Sequence, residues 1–508
     1  MRFVFGIVSK GSLLFQHLDT AKEGLSHSVR SQLVWLHAIP PSLKKGTMSV
    51  VVQSSLGYVV DARSLIDQSY VRCTRFTETE KSHVKCSFKK QCFQIFKSHY
   101  SHGASADMDE ENTNMLQKTD KSSKKRKRKR SQLNQGEIDS QAFHEKIRSI
   151  VLEGTKALVD SAQTFGYLNG ETDTMKEPLP SKVCSLAALC EMAKELPLVD
   201  VQEQEESSQL LVTQDGFSSH VDLFSRVTEN KEDWAAAVTL MGEEYVIPPH
   251  TAFLLSDFTR IQPLISYGRR FNLIVMDPPW ENKSVKRSRR YSSLPSSQLK
   301  RLPVPLLASP NCLVVTWVTN RPSHLRFVRD ELYPHWGVQV VAEWFWVKVT
   351  TSGEFVFPLD SQHKKPYETL VLGRYRSSAN ISIRSYLRLT FCFSTSEIPE
   401  VPIEDKRLII SVPSALHSQK PSLSEVLKPY VGAEAKCLEL FARNLQPGWT
   451  SWGNEVLKYQ HTSYFTVTPA DDQANASKDD CTDKSDLTQG FSSPGKTCPP
   501  HHCASTMN

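Results

Sequence analysis

The feature that most restricts this chain is the run FNLIVMDPPW, Phe271 to Trp280. Leu273 to Met276 is apolar without alternation, as a strand buried on both faces of a parallel sheet has to be. It stops on Asp277, Pro278, Pro279 and Trp280. In open α/β sheets ligands bind beyond the carboxyl ends of the strands, so an acid in that position is expected to do chemistry. The prolines fix φ and have no N–H to donate, which predicts a rigid turn with the Pro278 carbonyl free to accept.

A carboxylate, a bare carbonyl and an indole together suit a planar ring that carries an exocyclic amine. The adenine amine is a poor nucleophile because its lone pair is delocalised into the ring. Acceptors on Asp277 and Pro278 would hold its two N–H bonds and favour a pyramidal nitrogen. A base stacked on Trp280 gains roughly 1–3 kcal/mol. A hydrogen bond to a charged acceptor contributes about 1.5–3 kcal/mol, which is one to two decades of rate at about 1.36 kcal/mol per decade. A metal-binding Walker-B strand also ends on Asp, but it requires a phosphate loop that this chain lacks. A nucleotide hydrolase is therefore disfavoured.

With 508 residues the chain exceeds what one core usually supports, so two or three units are expected. Eleven cysteines without paired short spacings suit reduced thiols. The Cys498, His501, His502, Cys503 cluster lies in a polar tail and is not read as a metal site. No apolar run approaches the length of a membrane span.

Residues 1–100 show short apolar runs without a clear pattern, and Met48 is a candidate alternative start. Residues 101–135 turn from acidic to basic; Lys124–Arg130 is a self-repelling block that predicts a disordered linker and a nuclear signal. Residues 136–245 read as a helical module. Its apolar residues recur at helical spacing from Glu137 to Phe165, with further helices at Ser185–Leu196 and Trp234–Met241. Residues 246–468 have α/β texture. Candidate strands there are Ala252–Leu255, Leu273–Met276, Cys312–Val318, Val338–Val349, Thr369–Leu372, Arg407–Val412 and Cys437–Phe441, with a helix over Leu423–Val431. Residues 469–508 form a polar, disordered tail.

Beside the turn, Lys283, Lys286, Arg287, Arg289 and Arg290 form a basic loop suited to a phosphate backbone, and Tyr291 adds an aromatic ring. Trp344 and Trp346 are read as core, and His363 as a surface residue. A second constellation follows near the C-terminus. Glu439 ends near a strand, where an acid often meets ribose hydroxyls; Arg443, Asn444, Asn454 and Glu455 follow, and Lys420 suits a carboxylate. An amino-acid end, a ribose and an adenine are the parts of S-adenosylmethionine.

The DPPW turn, Trp317-Val318-Thr319, Trp346-Val347-Lys348 and the run Glu439–Trp449 followed by Gly453-Asn454 resemble the mRNA adenosine methyltransferase (70-kDa-subunit type) family. The resemblance covers residues 246–468 and implies a permuted Rossmann-like class I methyltransferase domain, beside the helical N-terminal module and disordered termini. It implies that Asp277, Pro278, Pro279 and Trp280 form the catalytic turn around a flipped adenine. Asp277 would also approach the methionine amine of S-adenosylmethionine, Asp257 and Phe258 its adenine, and Lys420 its carboxylate. Arg443, Asn444, Asn454 and Glu455 would contact its ribose and adenine. The expected activity is N6-methylation of 2′-O-methyladenosine in a small nuclear RNA, with DNA adenine as the alternative, in the nucleus (a cytosolic or mitochondrial pool being the alternative) and without a partner subunit. A catalytically inactive nucleic-acid-binding subunit is the rival of another class.

Overall fold

The computed structural model describes residues 44–45, 49–77, 81–98, 134–170, 179, 186–193, 208–213, 216–217, 221–281, 293–361, 364–376 and 401–470. The expected basic linker, the loop Lys283–Tyr291, His363 and the C-terminal Cys/His cluster lie outside them. The described residues up to Pro469 form one compact unit. Among the described residues no helix is long and apolar enough to cross a membrane.

In chain order the elements that matter here are β1 (Val50–Ser54), β2 (Gly57–Val60), β3 (Cys73–Phe76), β4 (Lys81–Phe88) and α1 (Gln135–Thr164). Then come β5 (Val227–Asn230), β6 (Ala235–Leu240), β7 (Glu243–Ile247), β8 (Thr251–Leu255), β9 (Phe271–Met276) and β10 (Ala308–Val318). β11 (Val338–Lys348), β12 (Tyr367–Tyr375), β13 (Leu408–Ser411), α2 (Ser424–Val431), β14 (Cys437–Leu440), β15 (Trp449–Gly453) and β16 (Phe465–Pro469) complete the set.

The large sheet runs β1-β2-β13-β11-β12-β10-β9-β14-β15-β8-β5 through its centre. Strands β8, β15, β14, β9 and β10 are parallel, and β12 enters antiparallel between β10 and β11. This is the mixed α/β sheet of a Rossmann-like domain, as the resemblance implies, with the DPPW turn preceding β14 in sequence. From β9 the chain continues into β10 on one side; from β14 it continues into β15 on the other. Their carboxyl ends therefore bound a topological switch point, the place where open α/β sheets bind ligands. β9 reads as uninterrupted hydrophobe because both its faces are covered. Ile274 and Met276 join one core, Leu273 and Val275 another that α2 seals with Val426 and Leu427.

Helix α1 starts where Asn134 and Glu137 form a reciprocal capping box. It buries Ile147, Val151, Leu158, Val159 and Ala162 against Val59 of β2 and Leu408 and Ile410 of β13. A Cβ added at Gly154 would come within 2.6 Å of Leu408 Cδ1, so glycine allows the helix its close approach.

Three expectations change. The segment Trp234–Met241 is strand β6, joined to β7 through Met241 and Gly242, both at positive φ (51° and 79°). A two-residue turn of that kind matches the twist of a hairpin. Pairing with β3 and β7 overrides the helical preference of the alanines. Second, among the described residues no helical module ending at residue 245 stands apart. β7-β6-β3-β4-β16 form a second sheet that draws on the first hundred residues, on 235–247 and on the C-terminal strand. Third, β1 and β2 extend the large sheet through β13, so part of residues 1–100 is built into the catalytic sheet.

Candidate active site

Asp277 follows directly on β9, and its N–H reaches the Leu440 carbonyl at the end of β14 at 3.4 Å. Phe441 then adopts φ +61°, a conformation that L-residues occupy at a cost. The turn it makes returns Ala442 N–H to the Trp452 carbonyl and sends Arg443 back toward β9. Arg443 Nη1 donates to Asp277 Oδ2 at 2.8 Å, and Lys420 Nζ lies 3.6 Å from the same oxygen. Both cations are shared. Arg443 Nε donates to Glu455 Oε2 at 3.2 Å, and Lys458 holds Glu455 from the far side at 2.8 Å. Lys420 donates to Glu368 Oε2 at 2.8 Å, and Lys348 to Glu368 Oε1 at 2.5 Å.

The result is an alternating row, Lys348–Glu368–Lys420–Asp277–Arg443–Glu455–Lys458, laid across the carboxyl ends of β11, β9 and β14 and the amino end of the antiparallel β12. Asp277 is at its centre. Burial opposes ionisation of Glu368, but Lys348 and Lys420 outweigh it and hold the carboxyl well below the usual range. Burial likewise works against the charge on Lys420, and Asp277 and Glu368 reverse it. Arg443 is kept cationic against burial by Asp277 and Glu455. Glu439 behaves in the opposite way. Burial pushes its carboxyl up to about 7, with Gln446 Nε2 donating to Oε2 at 2.8 Å and the charge of Asp277 adding to the rise.

The catalytic turn itself departs from expectation at two points. The Pro278 carbonyl accepts the Trp280 N–H at 2.8 Å, so one of its two lone pairs is committed to the turn. Trp280 is 4% exposed. Its ring stacks on His324 with centroids 4.8 Å apart, and its Nε1 donates to the Trp317 carbonyl at 2.9 Å. A ring that apolar neighbours and a histidine already cover serves as the post of the turn, and a base cannot lie on the covered face. Sequence reasoning did not find His324. Burial, reinforced by Arg321, pushes its imidazole down to about 4, and Nδ1 lies 2.9 Å from Thr319 Oγ1. A histidine two residues beyond Pro322 carried no signal of this packing.

Of the other expected residues, Phe258 stacks on Phe441 at 6.4 Å beside Trp452. Asp257 caps its own turn through Thr259 N and Oγ1, each at 3.0 Å. Asn454 and Glu455 directly follow β15, and Asn444 follows Arg443; all three are half-buried. Glu439 lies opposite Val275 in β9, its carboxyl tied to Gln446. Trp344 and Trp346 are core residues, the latter edge-on to Trp317 at 5.5 Å.

These residues suit a zwitterionic ligand with a ribose and an aromatic base. Lys420 and Asp277 offer opposite charges 3.6 Å apart for a carboxylate and an ammonium. Glu455, just past a parallel strand, is placed for ribose hydroxyls. Phe258 and Phe441 give an apolar plane.

The MT-A70 family model matches residues 271–455, which span the row from Asp277 to Glu455. The chain is 52% identical over 346 residues to the human N(6)-adenine-specific methyltransferase METTL4, covering 67% of this chain and 71% of that one. It is 34% identical over 233 residues to the N6-methyladenosine RNA methyltransferase MTA1 of Pyricularia oryzae, covering 44% and 57%. It is also 34% identical over 230 residues to a DNA N6-methyl methyltransferase of Caenorhabditis elegans, covering 44% and 56%.

Proposed function

Because this chain belongs to the MT-A70 family and is an adenine N6-methyltransferase acting on nucleic acid, we propose that its methyl donor is S-adenosylmethionine and that its substrate is 2′-O-methyladenosine in a small nuclear RNA. The observation that carries the reading is the Asp277 carboxylate at the switch point, clamped between Arg443 and Lys420. Lys420 would take the donor's carboxylate, Asp277 its ammonium, Glu455 and Asn454 its ribose, and Asp257 and Phe258 the region of its adenine. When bound, the donor supplies an electrophilic methyl group on a sulfonium.

The chain's own residues supply position. Asp277 and the remaining lone pair of Pro278 hold the N–H bonds of the target amine and turn its lone pair outward. Trp280, locked on His324, keeps that turn in place. No strong base is needed, because the methylated amine loses its proton to water. The basic loop Lys283, Lys286, Arg287, Arg289, Arg290 and Tyr291 is assigned to the backbone of the flipped nucleotide. The Lys124–Arg130 block supports a nuclear location, and the intact charged row supports activity without a partner subunit.

The DNA methyltransferase among the relatives keeps adenine in DNA as the alternative substrate. The full-length protein, isotopically labelled S-adenosylmethionine and matched RNA and DNA oligonucleotides decide the matter. Mass spectrometry of the digested nucleosides is expected to find N6,2′-O-dimethyladenosine. Labelled N6-methyldeoxyadenosine alone would move the substrate to DNA. No labelled adenine in any oligonucleotide would leave an inactive nucleic-acid-binding subunit.

A further inference from the structure

A cleft of about 740 Å³ opens between the first half of α1 and the segment that leaves β10, a size typical of ligand sites. Its near wall is Asn320, Arg321, Ser323 and Arg326; its far wall includes Ser140 and Gln141 of α1. α1 lies outside residues 271–455, so this wall is not part of the matched family domain. The helix is fixed in place across the cleft. His144 stands between Tyr367 Oη and Asp360, each at 3.0 Å, and Arg148 grips Asp360 with two bonds of 2.8 Å. Arg326 reaches Asp139 at 3.0 Å.

One polar atom of a residue lining this cleft lacks a partner among the described residues. Asn320 Nδ2 donates to the Tyr367 carbonyl, which fixes the orientation of the amide. Its Oδ1 is buried and accepts no hydrogen bond among the described residues. A buried acceptor left so is unfavourable, and a ligand donor that reaches it as the side chain shifts toward the cleft recovers the lost bond. Asn320 lies two residues beyond β10, the strand paired to β9, and Tyr367 is the neighbour of Glu368 in the charged row. Arg148 and Arg326 already have carboxylate partners, Arg321 donates to the Glu281 carbonyl, and acids and bases balance along the lining, so the cleft as a whole is close to neutral. That balance favours the sugar and base of a nucleotide over its phosphate.

We propose that this cleft seats the nucleotide next to the target adenine, and that Asn320 Oδ1 accepts a hydrogen bond from its ribose hydroxyl or base amine. The inference rests on the nucleic-acid reading above and adds a specificity element outside the transfer chemistry. Because Asn320 touches the neighbour and not the reacting amine, it acts through binding.

The test measures affinity of the full-length protein for fluorescently labelled single-stranded RNA and DNA of one sequence, by anisotropy, together with S-adenosylmethionine affinity by calorimetry. Asn320→Ala is expected to weaken oligonucleotide binding about tenfold, the worth of one hydrogen bond, with cofactor affinity unchanged. Gln141→Trp, at an exposed position of α1, fills the cleft without touching the catalytic sheet and should weaken binding at least as much. A deficit on RNA alone assigns the donor to the 2′-hydroxyl; an equal deficit on RNA and DNA assigns it to a base amine. Oligonucleotide affinity unchanged in both variants overturns the proposal. Weakened binding in a protein that transfers no methyl group to any oligonucleotide would leave the cleft standing and remove the enzyme reading.

Discussion

Arg443 and Asp277 are 166 residues apart in the chain and 2.8 Å apart in space. The pair bridges the ends of β9 and β14, and it binds the acid of the catalytic turn to the loop that leaves the neighbouring strand. Glu455 holds Arg443 on its other side, so the guanidinium spans both acids at little cost in freedom.

Removing the acid should hurt chemistry and stability differently. Asp277→Asn keeps the shape of the turn and is expected to lower kcat by about a hundredfold or more, the scale of losing a preorganised polar group. Asp277→Ala strands Arg443 and Lys420 with one counter-ion each and should also cost about 3 kcal/mol of stability. Single-turnover kinetics and denaturant melts of the two variants separate the effects; equal turnover in Asp277→Asn would refute the assigned role.

Lys420 and Glu368 should be energetically coupled. Each is about four-fifths buried or more, and they meet at 2.8 Å. A double-mutant cycle with Lys420→Met and Glu368→Gln is expected to give a coupling of about 1–3 kcal/mol. A coupling near zero would mean that the row is only a list of neighbours.

Trp280 is predicted to fail first as a structural residue. Trp280→Ala empties a buried ring site and should cost about 3–5 kcal/mol. Trp280→Phe keeps a ring against His324 but loses the bond to the Trp317 carbonyl, about 1 kcal/mol. If Trp280→Ala melts like the wild type while losing activity, the ring has a direct role in binding instead.

His324 supplies a pH dependence. Its folded value, about 4, lies below the ordinary 6.5. Below 6.5 the unfolded chain takes up a proton that the folded one refuses, so this contribution is full above 6.5 and is lost as pH falls toward 4. The loss of stability between pH 6.5 and 4 should be shallower in His324→Phe than in wild type, measured by urea melts.

Glu439 runs the other way. Its folded value, about 7, lies above the ordinary 4.5, so its contribution is full below 4.5 and fades as pH rises through 7. Glu439→Gln should flatten the stability profile between pH 4.5 and 7. A profile identical to wild type would show that the carboxylate is already ionised across that range.

The catalytic strand, the turn that ends it and most of the parallel strands could be read from the chain. Long apolar runs and two adjacent prolines restrict the backbone locally, and those restrictions survive in any fold. The helix Gln135–Thr164 was legible for the same reason, since its apolar spacing is local. β6 was not, because alanine favours a helix until neighbouring strands offer it hydrogen bonds.

By itself, then, the sequence determined which residues could do the chemistry: an acid and a carbonyl at the tip of a buried strand, with cations further along the chain. Only the tertiary structure decided how those charges meet. It set seven of them in alternation with Asp277 at the centre, turned Trp280 inward onto a histidine, and brought α1 across from Asn320. The reason is that Coulomb attraction and ring packing depend on distances between segments, and those distances exist only after the sheet has lined up β12, β10, β9 and β14.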